Sequence, residues 1–270
     1  MFPEPRRRVS EKNMEIVRGT ANWTKLRAGP RFAGKTIGFV PTMGALHAGH
    51  LSLLKRARRG NELTVASIFV NPAQFNDPRD LRRYPRTLAG DIKELERENT
   101  DFLLLPEARE LYPDGYRFRL IETAESKALC GAHRPGHFAG VLTVVLKLLN
   151  LVRADRAYFG EKDYQQLRLI RGMAETFFIG TKIVPCPTLR EPDGLAMSSR
   201  NLLLGPEERE LAPALYRALR SRARPAEIKK RLTALGFAPE YVEERWGRRF
   251  AAARLGKVRL IDNVKLAFVP

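Results

Sequence analysis

Between Gly38 and His50 the chain reads Gly-Phe-Val-Pro-Thr-Met-Gly-Ala-Leu-His-Ala-Gly-His, an apolar run that ends in a glycine-rich turn carrying two histidines. Ile37 to Val40 has the pattern of a short buried strand, and from Leu51 through Leu53, Leu54 and Ala57 the apolar residues return at helical spacing. The turn therefore joins a strand to the N-terminus of a helix. Unpaired backbone N–H groups and the positive end of the helix dipole favour an anion at such a junction, and glycine lets the backbone come close to it. His47 and His50 lie three apart, so on a helix that has begun they share one face and both reach the same phosphate. The spacing alone leaves a second reading open, a glycine-containing βα turn whose histidines are surface polar groups.

The rest of the chain says which fold surrounds this turn. Leu63 to Val70 reads as a strand, Leu88 to Glu98 as a helix, Phe102 to Leu105 as a strand and Gly140 to Val152 as a largely buried helix. Ala157 to Phe159 and Lys182 to Val184 follow as strands, with Asp163 to Phe177 helical between them. Such alternation predicts an α/β fold, a parallel sheet with helices on both faces, whose ligands bind at the carboxyl ends of the strands. Beyond Pro187 the pattern changes to helices over Glu207 to Leu219 and Ala226 to Leu235, then short strands over Glu240 to Glu244, Arg249 to Ala253 and Val258 to Ile261. The expected division is a polar, disordered extension over residues 1–13, a nucleotide- and substrate-binding domain over 14–186 and a small α+β domain over 187–270. Ser198-Ser199-Arg200 falls near that boundary, where a closing lid belongs.

Composition removes several classes. No apolar run approaches the roughly 20 residues needed to cross a bilayer. Arg6-Arg7-Arg8 has no apolar segment behind it, so the start does not read as a secretory signal and a cytoplasmic location is expected. Cys130 and Cys186 are far apart, with no CxxC and no histidine in metal-like spacing except His133 and His137, and read as ordinary buried or half-buried thiols. The net charge of +18 raises the question of a polyanion partner. From Gly205 to Pro270 there are fifteen Lys or Arg against eight Asp or Glu, without the aromatic interleaving of an RNA platform. A solvated, arginine-rich surface accounts for the charge, so no specific nucleic acid is expected, only weak salt-sensitive attraction to polyanions.

His47-Ala48-Gly49-His50 after a strand resembles the His-x-Gly-His signature of the nucleotidylyltransferase and class I aminoacyl-tRNA synthetase superfamily. Within it, Pro41 to His50 is similar to the pantoate–β-alanine ligase family. Further segments resemble that family in its own order: Val70-Asn71-Pro72-Ala73-Gln74-Phe75, Tyr84-Pro85-Arg86-Thr87-Leu88, Arg134 to Val141, Phe159 to Gln166, Asp193 to Asn201, and Arg259-Leu260-Ile261-Asp262-Asn263. The resemblance implies a Rossmann-like sheet with a smaller C-terminal lid, and ATP-dependent condensation of pantoate with β-alanine through a pantoyl adenylate, with release of pyrophosphate and AMP. It also implies Mg²⁺ accompanying ATP, and a homodimer.

Residue by residue, the resemblance puts Pro41, Thr42, Met43, His47, Gly49 and His50 on ATP. Gly160, Lys162 and Asp163 join them from one later segment, and Met197, Ser198, Ser199 and Arg200 from another. Adenylation asks for positive charge and donors around the α-phosphate rather than a strong base, and His47, His50, Lys162 and Arg200 are of the right types to carry it. A neutral histidine tautomer suffices if the helix N-terminus supplies the field. Taken bare, Lys162 could be an ordinary exposed charge, and Asp163 could cap the following helix as well as bind ribose hydroxyls. Pantoate falls to Met43, Asn71, Gln74 and Gln166, with Phe75 as apolar wall; turn chemistry around Pro72 is the plainer reading of Asn71 and Gln74. Arg134 and His137 form a possible substrate loop. Asp91 is the candidate Mg²⁺ ligand, although Gly90 stands where some members carry a second acid, and Leu235 to Phe250 is short against the family's usual C-terminal domain. Two other readings remain: a nucleotidylyltransferase that keeps the nucleotide on its product, and a non-catalytic RNA-binding protein on the same fold.

Overall fold

The computed structural model describes residues 13–266. Strand β1 (Glu15–Arg18) and helix α1 (Thr20–Arg27) precede β2 (Ile37–Thr42), α2 (Ala48–Gly60) and β3 (Leu63–Ile68). Two helices, α3 (Pro78–Arg83) and α4 (Leu88–Arg97), lead to β4 (Phe102–Leu105), and the short α5 (Ala108–Leu111) and α6 (Cys130–His133) lead to α7 (His137–Val152). The series closes with β5 (Arg156–Gly160), α8 (Tyr164–Thr176) and β6 (Lys182–Cys186).

These strands form one parallel sheet in the order β1-β4-β3-β2-β5-β6. Each face has its own core because successive side chains of a strand point oppositely. Phe39, Val65 and Phe102 pack with α7 and α8 on one side, while Val40, Ala66 and Leu103 meet α2 and α4 on the other. Helix α7 is buried along most of its length, and Gly140 is what lets it close on the loop after β3: a Cβ there would lie 2.3 Å from the Ala73 carbonyl oxygen.

From β2 the chain turns to β3 on one side and later to β5 on the other, so the order reverses at β2. There β2 and β5 pair only through Gly38 with Arg156 and Phe39 with Ala157. Past those rungs the strands part, and a crevice opens at their carboxyl ends, where open α/β sheets bind ligands.

The remaining residues build α9 (Pro206–Leu211), α10 (Ala214–Arg220), α11 (Pro225–Ala234) and an antiparallel sheet of β7 (Phe237–Arg245), β8 (Arg248–Leu255) and β9 (Val258–Lys265). The helix expected over Glu207 to Leu219 is two helices, broken at Pro213, which brings no N–H to an i−4 carbonyl. The expectation for residues 1–13 falls almost wholly outside the described residues. The pair β1 and α1 was not anticipated; β1 is a four-residue edge strand with one buried side chain, too short to give a periodic signal.

Candidate active site

The crevice between β2 and β5 is a cleft of about 240 Å³. Three walls meet around it, each from a different stretch of chain.

The first wall is the turn from β2 into α2, and its geometry is set largely by the turn itself. His47 is the N-cap of α2: the Gly49 N–H donates to its Nδ1 at 3.1 Å. The His47 N–H in turn donates to Nδ1 of His50 at 3.4 Å, and the two rings lie 4.1 Å apart. With both Nδ1 atoms accepting from the backbone, the proton of each neutral ring sits on Nε2, which is left as a donor. Gly49 permits this, because a Cβ there would lie 2.7 Å from Cε1 of His47. Burial holds both imidazoles neutral: His47 is lowered to about 4, with Lys162 adding to the effect, and His50 to about 3, with His47 and Lys162 adding. Pro41, Thr42 and Met43 complete this wall. Thr42 Oγ1 donates to the Ser67 carbonyl at 2.8 Å and accepts from the Gly44 N–H at 3.2 Å.

Asp91 lies behind this wall rather than in the cleft. It is buried, and its two carboxylate oxygens accept the Ala45 N–H at 3.0 Å and the Leu46 N–H at 2.8 Å, with Thr87 Oγ1 at 3.2 Å. The backbone it holds is left-handed at Gly44 (φ 77°) and Ala45 (φ 49°). The carboxylate expected on Mg²⁺ is therefore also the acceptor that holds this left-handed turn. Among the described residues no cluster of three His, Cys, Asp or Glu side chains could hold a metal ion.

The second wall comes from the loop after β3 and from α7 and α8. Gln74 and Gln166 line the cleft, and Gln74 Nε2 lies 2.9 Å from Sδ of Met43. Asn71 does not line it. It is buried, with Oδ1 accepting from the Ala73 N–H and the Tyr112 hydroxyl, and Nδ2 donating to the Gly140 carbonyl at 3.1 Å, so it fixes the loop that presents Gln74. Arg134 and His137 also act on Gln74 from behind, both reaching its carbonyl, at 3.2 and 2.8 Å. That carbonyl only accepts, so His137 Nδ1 carries a proton and its Nε2 accepts from Arg134 at 3.0 Å. Burial and the Arg134 charge take His137 down to about 3, and burial lowers Arg134 to about 10. The apolar wall is made by Phe69 and by Val141, Val144 and Leu148 of α7, not by Phe75, which packs edge-on against Tyr84. Helical periodicity marks those α7 residues as core, so their second use was hidden. Gln165, next to Gln166, is turned inward to the Cys130 N–H and the Glu125 and Ala128 carbonyls.

The third wall carries Gly160, Lys162 and Asp163 after β5, and Met197, Ser198, Ser199 and Arg200 beyond β6. Lys162 Nζ sits 3.8 Å from Asp163 Oδ2, and Asp163 makes no side-chain cap to α8, which leaves it facing the cleft. Arg200 pairs with Asp80 at 2.9 Å, and Ser199 meets the Tyr84 hydroxyl at 3.4 Å, so this loop is joined to α3 across the opening. Neither Asp80 nor Tyr84 was assigned a role from sequence. Behind the wall, Asp262 of β9 takes Arg190 through two bonds at 2.6 and 2.9 Å.

A parallel sheet parted at its switch point, with two neutral histidines on a helix N-terminus facing a lysine and an arginine, defines an α/β protein whose cleft suits a polyphosphate and a small polar molecule. Comparison with known proteins identifies the family. Residues 15–265 match the family model of pantoate-beta-alanine ligase, and the chain belongs to that family. It is 55% identical over 243 residues to the pantothenate synthetase of Bdellovibrio bacteriovorus, covering 90% of this chain and 97% of that one. With the Legionella pneumophila pantothenate synthetase it shares 48% over 253 residues, 94% of this chain and all of the other. Among solved structures, the Francisella tularensis pantoate-beta-alanine ligase, complexed with beta-gamma ATP and beta-alanine, superposes with a TM-score of 0.89 at 43% identity, covering 93% of this chain and 97% of that one. Thermus thermophilus pantothenate synthetase gives 0.85 at 42%, with 93% and 99% covered. The first two bacterial relatives are matched over 97% and 100% of their length.

Proposed function

We propose that this protein condenses pantoate with β-alanine at the expense of ATP. A pantoate carboxylate oxygen attacks the α-phosphorus, the bond to the β-phosphate oxygen breaks and pyrophosphate leaves. The β-alanine amine then attacks the acyl carbon of pantoyl adenylate, and AMP leaves with the original carboxylate oxygen. The observation that carries this reading is the pair of neutral Nε2 donors of His47 and His50 at the N-terminus of α2 with Lys162 across the cleft. Donors fixed before the substrate arrives need no reorganisation as charge builds on the phosphate, and each is worth about 10²–10³ in rate. Gln74 and Gln166 offer amides to a hydroxy acid without presenting a competing nucleophile.

In this reading Ser198, Ser199 and Arg200 bind the β- and γ-phosphates, Asp163 takes the ribose hydroxyls, and the residues from 187 onward act as a lid. Magnesium enters with ATP, on the phosphates, since Mg²⁺ keeps most of its waters and takes few protein ligands. A homodimer is part of the proposal: Phe118 and Ile121 are 73% and 68% exposed on one short segment, and a second copy would cover them. The enzyme is taken to act in the cytoplasm, and among the described residues no helix is long and apolar enough to cross a membrane.

The test is AMP release from ATP and Mg²⁺ with pantoate, with and without β-alanine. AMP and pantothenate should appear only when both acids are present, and pyrophosphate should exchange into ATP with pantoate alone. AMP formation without pantothenate, or none at all, would overturn the reading. Sedimentation at micromolar concentration tests the dimer.

A further inference from the structure

The turn that carries Lys162 is not held by its own residues. Residues Glu161 to Asp163 form a single 3₁₀ turn with no side-chain cap at its start. Its backbone is gripped instead by Asn263, one hundred residues on in β9, whose Nδ2 donates to the Glu161 and Lys162 carbonyls, both at 2.9 Å. Asn263 is 2% exposed. Its Oδ1 accepts from Arg248 at 2.7 Å, and the other arm of that guanidinium holds the Glu161 carboxylate at 2.7 Å while its carbon lies 4.1 Å over the Tyr164 ring. The next residue back, Asp262, is tied to Arg190. One amide and one guanidinium of the C-terminal sheet thus fix both carbonyls and the flanking side chains of the turn that aims Lys162 into the cleft.

We propose that Asn263 and Arg248 are positioning residues for Lys162, so that seating of the C-terminal sheet on the turn after β5 is what makes the phosphate site competent. The inference rests on the phosphate role given to Lys162 above. Neither residue lines the main cleft, so Asn263 acts through the lysine's backbone and Arg248 through Asn263 and the Glu161 carboxylate. Closing the C-terminal unit then does more than exclude water: it sets the position of a charge supplied by the first sheet.

A double-mutant cycle tests this with pantoate-dependent exchange of pyrophosphate into ATP as the readout. Asn263→Asp keeps the shape and the acceptor for Arg248 but turns the donor to the two carbonyls into an acceptor. It should lower the exchange rate about tenfold with the KM for pantoate unchanged. In a Lys162→Ala background the same change should cost less than about twofold, because the group it positions is gone. An equal loss in both backgrounds, or a wild-type rate for Asn263→Asp, overturns the proposal while leaving the function intact. A wild-type rate for Lys162→Ala removes the role of the lysine and the proposal with it. Circular dichroism checks the fold; should Asn263→Asp not fold, Glu161→Gln, which weakens the Arg248 grip from the other side, enters the same cycle with the same expected non-additivity.

Discussion

The wall made by the β2–α2 turn and the wall made by the loops after β5 and β6 face the same cleft but are held in opposite ways. In the first, His47 and His50 accept from backbone N–H groups within three residues of themselves, and among its distant contacts Asp91 grips two adjacent N–H groups of the same turn while Thr42 bonds the Ser67 carbonyl of the neighbouring strand. In the second, Ser198 caps its own turn through the Arg200 N–H, but the ion pairs and the grip on the Lys162 turn come from far along the chain: Arg200 on Asp80, Asn263 on the Lys162 turn, Asp262 on Arg190. A wall built from local bonds forms with its helix. One built partly on β9, through Asn263 and Asp262, depends on the antiparallel sheet being in place against the parallel one.

The largest effect should therefore come from the long-range side. Asp262 is 4% exposed and is the carboxylate partner of Arg190, so Asp262→Ala leaves a guanidinium without its counter-charge. Breaking such a pair costs about 3–5 kcal/mol, read by urea unfolding. A loss below about 1 kcal/mol would mean that the pair is not what holds β9 and that the contrast between the walls is overdrawn.

Next is His47→Asn, which separates two duties of one residue. Asparagine is a good N-cap, so α2 should keep its stability, whereas His47→Ala should lose about 1 kcal/mol. Both lose the Nε2 donor, and adenylation should fall by about 10²–10³ in either. A rate near wild type for His47→Asn would make the histidine a cap alone, and the phosphate site would have to move to the other wall.

The same division separates what is legible in the amino-acid sequence from what is not. His47, Gly49 and His50 are legible because their relations run over three residues and rest on helix periodicity and the missing Cβ of glycine. The parallel sheet is legible through alternating apolar runs, and the C-terminal strands through theirs. The single helix expected across Pro213 fails because a good apolar pattern masks the proline that interrupts it. Asn71 and Asp91 stand one layer behind the cleft, while Arg134 and His137 line a small neighbouring pocket that shares Lys162, Asp163 and Gln166 with it, and nothing in a residue's type says whether it faces a ligand or the residue that does. Arg190 with Asp262 and Arg248 with Asn263 leave no local signal, since charged residues in short antiparallel strands read as ordinary surface.

A smaller effect tests where Asp91 belongs. Asp91→Asn puts an amide nitrogen opposite one of two buried N–H groups, which should cost about 1–3 kcal/mol in unfolding and slow adenylation through the displaced His47. The Mg²⁺ concentration giving half-maximal rate should stay where it is. A shift in that concentration with unchanged stability would return Asp91 to the metal.

The smallest effect expected is on the pH dependence, and its absence is the informative result. His47 and His50 have folded-state values of about 4 and about 3 against an ordinary 6.5, so both are neutral donors throughout the neutral range. The adenylation rate should show no inflection of their making between about pH 6 and about pH 8. Stability behaves differently. Between the unfolded value of 6.5 and the folded values the unfolded chain binds more protons, so the contribution of these two groups is fully present above 6.5 and is lost as pH falls toward 4 and then 3. In His47→Asn that acid loss should be shallower by the share of one histidine, measured as the urea midpoint at about pH 5 against about pH 7. An inflection in rate near 6.5 that His47→Asn removes would mean that the imidazole titrates in the working enzyme, and that the wall held by its own backbone is looser than its hydrogen bonds imply.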